Sequence, residues 1–131
     1  MDVYKLTEAL ADMVWHDFVK WNKKVQNTVG YQIIRSSDSI AANIAEGYGR
    51  YTPADGKKFY LYSRGSLGET ISWLQKLIRR KVLSESNATE YKAIVEKLGF
   101  GEHPAFDIWM LIVSVYLTFP HVSIHLQPIH T

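Results

Sequence analysis

Apolar residues three and four positions apart recur along most of this chain, and that spacing confines it to packed helices. Leu6, Leu10, Met13, Val14, Phe18, Trp21 and Val25 form the first such stripe. A strand would alternate in steps of two, whereas these residues line one side of a rod with about 3.6 residues per turn. The stripe predicts a first helix over residues 2–26. A polar break at Gln26, Asn27 and Thr28 leads to a second helix, with Ile33, Ile40 and Ile44 on one side and Gly47 and Gly49 ending it. Thr52, Pro53 and Asp55 then supply an N-cap hydroxyl, a proline at the first helical position and a carboxylate at the positive end of the dipole. The third helix should run to about Val82 on a core stripe of Tyr60, Leu67, Ile71, Leu74 and Ile78. Asn87 with Glu90 three residues later reads as a capping box for a fourth, carried by Tyr91, Ile94, Val95 and Leu98.

The stretch GFGEHP, residues 99–104, breaks that fourth helix, and Pro104 suits the start of a further piece ending before Pro120. The two pieces read as one broken final leg. They contain IWMLIVSVYLTF, an uncharged run of 12 residues, too short to span a bilayer and suited to a buried helix. Beyond it, Val122, Ile124 and Leu126 alternate like a strand but have no second strand to pair with, so residues 120–131 are expected to form an extended tail. The expected fold is all-α: an up-down-up-down four-helix bundle in a single domain over residues 1–131, the bundle being 1–119.

A chain of 131 residues, 47% hydrophobic and 21% charged, can bury one core. It has no cysteine, which excludes disulfides and thiolate metal sites. Its first residues, MDVYKLTEAL, lack the basic and apolar regions of a signal peptide, and the expected location is cytoplasmic. The net charge of +2 is unevenly placed. Residues 1–51 carry six basic and six acidic side chains, 52–81 seven against two, and 82–131 two against five. The middle segment is the basic one, and a local patch of this kind is a mark of nucleic-acid binding.

The second helix reads RSSDSIAANIAEGYGR over residues 35–50. At about 100° per residue, Gln32, Arg35, Ser39, Asn43, Glu46 and Arg50 fall on one side and the isoleucines on the other. Spacings of four let Ser39 reach Arg35 or Asn43, and Glu46 reach Arg50. This polar ladder is either a solvated face with ordinary ion pairs or a subunit contact. The small residues Ala41, Ala42, Ala45 and Gly47 favour the contact, because they let another backbone come close. The third helix repeats the theme: Tyr62, Gly65, Glu69 and Trp73 share a face away from Leu67 and Leu74, extended by Lys58 and Lys76. Gly65 and Gly68 each cost a helix about 1 kcal/mol relative to alanine, which close packing would explain. Self-association through both faces is the expectation.

These residues also carry a resemblance. SIAANIAEGYGR, then Phe59, then SRGSLGE is similar to the pattern R..SI..NIAEG.GR, F, A.GSL.E of the bacterial four-helix-bundle proteins encoded in intervening sequences of 23S rRNA genes. The matching positions are Arg35, Ser39, Ile40, Asn43, Ile44, Ala45, Glu46, Gly47, Gly49, Arg50, Phe59, Gly65, Ser66, Leu67 and Glu69. From residue 99 onward the chain departs from that family, which usually finishes with one long helix. The resemblance implies a bundle assembled into a ring-like homo-oligomer, a pentamer, in the bacterial cytoplasm. A related bundle, the accessory variability protein of diversity-generating retroelements, forms a basic pentameric barrel that acts with a reverse transcriptase and nucleic acid.

Binding is therefore weighed above catalysis. Lys57 and Lys58 near the start of the third helix, and Lys76, Arg79, Arg80 and Lys81 at its end, are the candidate phosphate contacts, although cations in a last helical turn also complement the dipole without any ligand. Aromatic residues interleave with them only modestly, and no RNA-recognition signature is present. Arg35, Ser39, Asn43, Glu46, Arg50, Tyr62, Gly65, Glu69 and Trp73 are the candidate oligomer interface. His121 and His125, with His130, have metal-like spacing but sit between prolines in an extended segment without a carboxylate. His16 beside Asp17 carries no site, since helix neighbours point different ways. Ser66 near Glu69 lacks a base, and no phosphate loop is present. No catalytic residue, metal or cofactor is expected. The expected function is a non-catalytic homo-oligomer that binds RNA or a nucleic-acid-associated complex; the alternative is a protein–protein adaptor without nucleic-acid affinity.

Overall fold

The structure, a computed structural model, describes residues 3–98. These residues are helical throughout apart from short links, with no strand among them. The elements are α1 (Val3–Phe18), the single turn α2 (Lys23–Val25), a π-helical turn (Gln26–Gly30), α3 (Tyr31–Tyr48), α4 (Pro53–Arg79) and α5 (Glu85–Lys97). Together they form an all-α helical bundle. The GFGEHP break, the second piece of the fourth leg, the tail and its histidines lie outside the described residues.

The first helix ends sooner than its apolar spacing predicts. It stops at Phe18, and the break falls at residues 19–22 rather than at Gln26 to Thr28. Asn22 starts the next turn by accepting the Val25 N–H at 3.0 Å, while the Gln26 side chain donates to the Phe18 carbonyl at 2.8 Å. The predicted breaking residues therefore close α1 and run on as helix into α3. Trp21 and Val25 keep the apolar spacing across the break because both still pack on the core. Gly30 is where Phe18 crosses, since an added Cβ would stand 3.0 Å from its ring.

α3 runs through Gly47 and is closed by Gly49, so only the second of the two predicted glycines ends it. α4 opens as predicted: Thr52 accepts the Asp55 N–H at 3.2 Å, and Pro53 takes the first position. Its 27 residues make a rod of about 40 Å. Tyr60, Leu67 and Leu74 are buried and Ile71 is half-buried, but Ile78 is 39% exposed and Leu77 takes the inward place. The final turn is tightened by Val82 N–H on the Leu77 carbonyl at 2.9 Å and Lys81 N–H on the Ile78 carbonyl at 3.0 Å. This closing motif puts Lys81 at φ 59°, where glycine is the usual residue. α5 is capped by Ser84, which accepts the Asn87 N–H at 3.2 Å, so the predicted cap, Asn87, lies inside the helix.

α3 packs most extensively on α4, α1 packs on α3, and α5 touches both α1 and α4. Leu6, Leu10, Val14, Ile33, Ile40, Ile44, Tyr60, Leu67, Leu74, Tyr91, Ile94 and Leu98 form the centre of the shared core. Each fully buried aliphatic side chain contributes about 1.5–3 kcal/mol. α3 and α4 are antiparallel and very close at one end: a Cβ on Gly47 would stand 2.8 Å from the Gly56 carbonyl and 3.1 Å from Phe59 and Tyr60. Gly47 is thus small for the sake of its own chain's α4, not for a second molecule.

Candidate functional site

The second faces expected on two separate helices form one continuous surface. Ser39 of α3 donates to Ser66 of α4 at 2.7 Å, which joins the polar ladder to the Tyr62, Gly65, Glu69 and Trp73 stripe. At one end the Arg50 guanidinium lies 4.4 Å from the centre of the Phe59 ring, and that ring meets Tyr62 edge-on at 5.4 Å. Arg50 also bridges Glu46 at 2.7 Å on an exposed helix surface, where such pairs contribute little. Toward the other end, Gln32, Arg35, Ser36, Ser39 and Glu69 line a groove of about 180 Å³. Arg35 lies 5.8 Å from the Tyr31 ring. Trp73 Nε1 donates to Glu69 at 3.1 Å, and Lys76 lies 5.2 Å from the Trp73 ring.

The ladder is not the relay its spacing allows. Asn43 donates backward to the Ser39 carbonyl at 2.9 Å, and the Ser39 hydroxyl is shared between Ser66 across the helix pair and the Ser36 carbonyl one turn back, at 2.9 Å. Gly65 is exposed, and a Cβ there would meet nothing within 4 Å. Its missing side chain, unlike that of Gly47, serves no packing within the described residues.

The cations do not converge in one patch. Lys57 and Lys58 are exposed in the second turn of α4, whereas Lys76, Arg79, Arg80 and Lys81 close its far end, about 30 Å away. Arg79, Arg80 and Lys81 are exposed, and Lys76 is half-buried against Trp73.

Two polar features escape the sequence reading. Ser63 donates to the Ile40 carbonyl and Thr70 to the Ser36 hydroxyl, each at 2.8 Å, so a buried hydroxyl seam runs beneath the exposed face. The signal was available: Ser63, Ser66 and Thr70 repeat at helical spacing beside Leu67. The second is Asp17, which is buried and accepts from Tyr91 Oη at 2.6 Å and from Asn87 Nδ2 at 3.2 Å. Burial and this carboxylate push the Tyr91 phenol well above its ordinary range. Asp17 follows Leu10 and Val14 in register, and an acid on an apolar stripe needs partners. By contrast, Tyr60 Oη is buried with no hydrogen-bond partner among the described residues, and burial, followed by Tyr48, raises its pKa.

Among the described residues no group of three or more histidines and carboxylates is arranged to hold a metal, and no helix is long and apolar enough to cross a membrane. A search of curated proteins returns no match. The profile of the family described as 23S rRNA-intervening sequence protein matches residues 1–100, which include the whole α3–α4 face. With that match added to the SIAANIAEGYGR and SRGSLGE motifs on one helix pair, the chain belongs to the 23S rRNA-intervening sequence protein family.

Proposed function

We propose that this protein is a non-catalytic, cytoplasmic bundle that assembles through its α3–α4 face into a closed homo-oligomer, a ring of five, and binds RNA. In this reading the legs alternate up and down, and the segment after α5 completes the fourth. One observation carries it: the α3–α4 face is continuous, rich in hydrogen-bonding and aromatic groups, and open at Gly65, where the described residues place nothing within 4 Å of an added Cβ. A glycine in mid-helix costs about 1 kcal/mol, and a second copy lying close is what that cost would serve. Glu69, Trp73, Arg35 and Asn43 would be the polar contacts around it. Exposed cations on α4, repeated around a ring, would build the field that draws phosphates.

Gly65→Gln tests the assembly. The substitution meets open space within the chain, so helicity should be kept while the mass in light scattering falls to a smaller species. Glu69→Arg should do the same by placing a reversed charge in the contact. An unchanged mass for both variants removes this face from the assembly. RNA binding is tested by affinity that falls with salt and is lost when Arg79, Arg80 and Lys81 are replaced by glutamate. Absence of binding at low salt leaves the protein adaptor as the better reading, since the exposed aromatic side chains suit a protein partner as well.

A further inference from the structure

We propose that the turn joining α3 to α4 is a stacking site for unpaired nucleotides, built from Arg50, Tyr51, Lys57, Lys58 and Phe59. This rests on the RNA reading above and adds to it a contact for unpaired bases at the opposite end of α4 from Arg79, Arg80 and Lys81. Tyr51 lies in the four-residue link between the helices and is 103% exposed, the most open of the large apolar side chains among the described residues. Beside it in sequence, the Arg50 guanidinium lies over the Phe59 ring, 4.4 Å from its centre, and bridges Glu46 at 2.7 Å, and these two contacts hold it in place. A tyrosine ring and a guanidinium plane are the two surfaces on which a splayed base stacks.

The placement of the charges separates this end from the other. Lys57 and Lys58 lie near the N-terminal end of α4, where the helix dipole gives a cation no stabilisation. Lys76 and Arg79 lie in the last turn, where the dipole favours them without any ligand. Lys57 and Lys58, which the dipole does not explain, therefore lie at the same end of α4 as Arg50 and Tyr51. A backbone tracked by Lys57 and Lys58, with a base on Tyr51, needs an unpaired strand, because a duplex keeps its bases stacked on each other.

The test compares an oligouridylate with a duplex RNA of equal length on the full chain. Tyr51→Ala should weaken the oligouridylate about tenfold or more and leave the duplex within about twofold, while Tyr51→Phe keeps the single-strand affinity. Replacing Lys57 and Lys58 by glutamine should lower the slope of affinity against salt by about one to two. Binding of the oligouridylate that is indifferent to Tyr51→Ala, or an equal loss for both RNAs, overturns the stacking site and leaves the RNA reading intact. No binding of either RNA at low salt overturns both. Since Tyr51 buries nothing, an unchanged melting curve for Tyr51→Ala guards against misfolding as the cause.

Discussion

At its N-terminal end α4 is held against α3 by the absence of side chains, where Gly47 meets the Gly56 carbonyl. At its C-terminal end the bundle is closed by a side chain that must be present: Asp17, at the end of α1, receives Tyr91 and Asn87 of α5. One end tolerates no added atom, and the other tolerates no lost one. The two buried phenols differ in the same sense, because Tyr91 is satisfied by a carboxylate whereas Tyr60 is buried without a partner among the described residues. Tight packing thus coexists with polar specificity in a single small core.

The strongest way to break this comparison is Asp17→Ala. It leaves the buried Tyr91 hydroxyl and the half-buried Asn87 amide without their acceptor and should cost about 3 kcal/mol, read as a lowered urea midpoint. Asp17→Asn should recover part of that loss, and equal midpoints for wild type and Asp17→Ala would mean the tie is idle. Gly47→Ala comes next at about 2 kcal/mol, because the new Cβ must push the α4 backbone away. Gly65→Ala serves as its control: in the dissociated chain, where the new Cβ meets open space among the described residues, it should add up to about 1 kcal/mol of helix stability, so at dilutions that separate the subunits the two variants should move in opposite directions.

Lys81→Gly sharpens the comparison at the C-terminal end. Its positive φ costs a side-chain-bearing residue about 1 kcal/mol, so glycine should raise stability by that amount while removing one cation from the Arg79 and Arg80 cluster. A destabilised variant would show that the lysine side chain has a structural use there. The smallest effect belongs to Tyr60→Phe, within about 0.5 kcal/mol at neutral pH, since the lost hydroxyl has no partner among the described residues. Both phenols have folded pKa values raised above the ordinary 10.0, so the folded state holds their protons longer. Their contribution is complete below 10.0 and is lost as pH rises above it. Tyr60→Phe should therefore flatten the alkaline loss of stability, and an unchanged alkaline limb would place that loss elsewhere.

Much of the helical framework was legible in the residues. The Thr52 and Pro53 start, the Gly49 stop and the stripes of Leu10, Ile40, Leu67 and Tyr91 depend on neighbours within about one turn, which is the range over which spacing and capping act. The candidate face was legible for the same reason, as two stripes of polar, small and aromatic residues turned away from the isoleucines and leucines. Where two local signals competed, the reading slipped. Ser84 took the cap from Asn87, and the first helix stopped at Phe18, with Asn22 capping a new turn, although Trp21 and Val25 carried its stripe onward.

By itself, then, the sequence determined that residues 3–98 are helices, which sides of them are apolar, and which side of each is offered elsewhere. Only the tertiary structure decided that the two offered sides are one, through Ser39 and Ser66, and that Gly47 is occupied while Gly65 is open. It alone gave Asp17 its partners, 70 and 74 residues away. The physical reason is range: a helix is specified by contacts three and four residues apart, whereas a buried carboxylate or an inter-helix glycine acquires its meaning from whatever the rest of the chain brings against it.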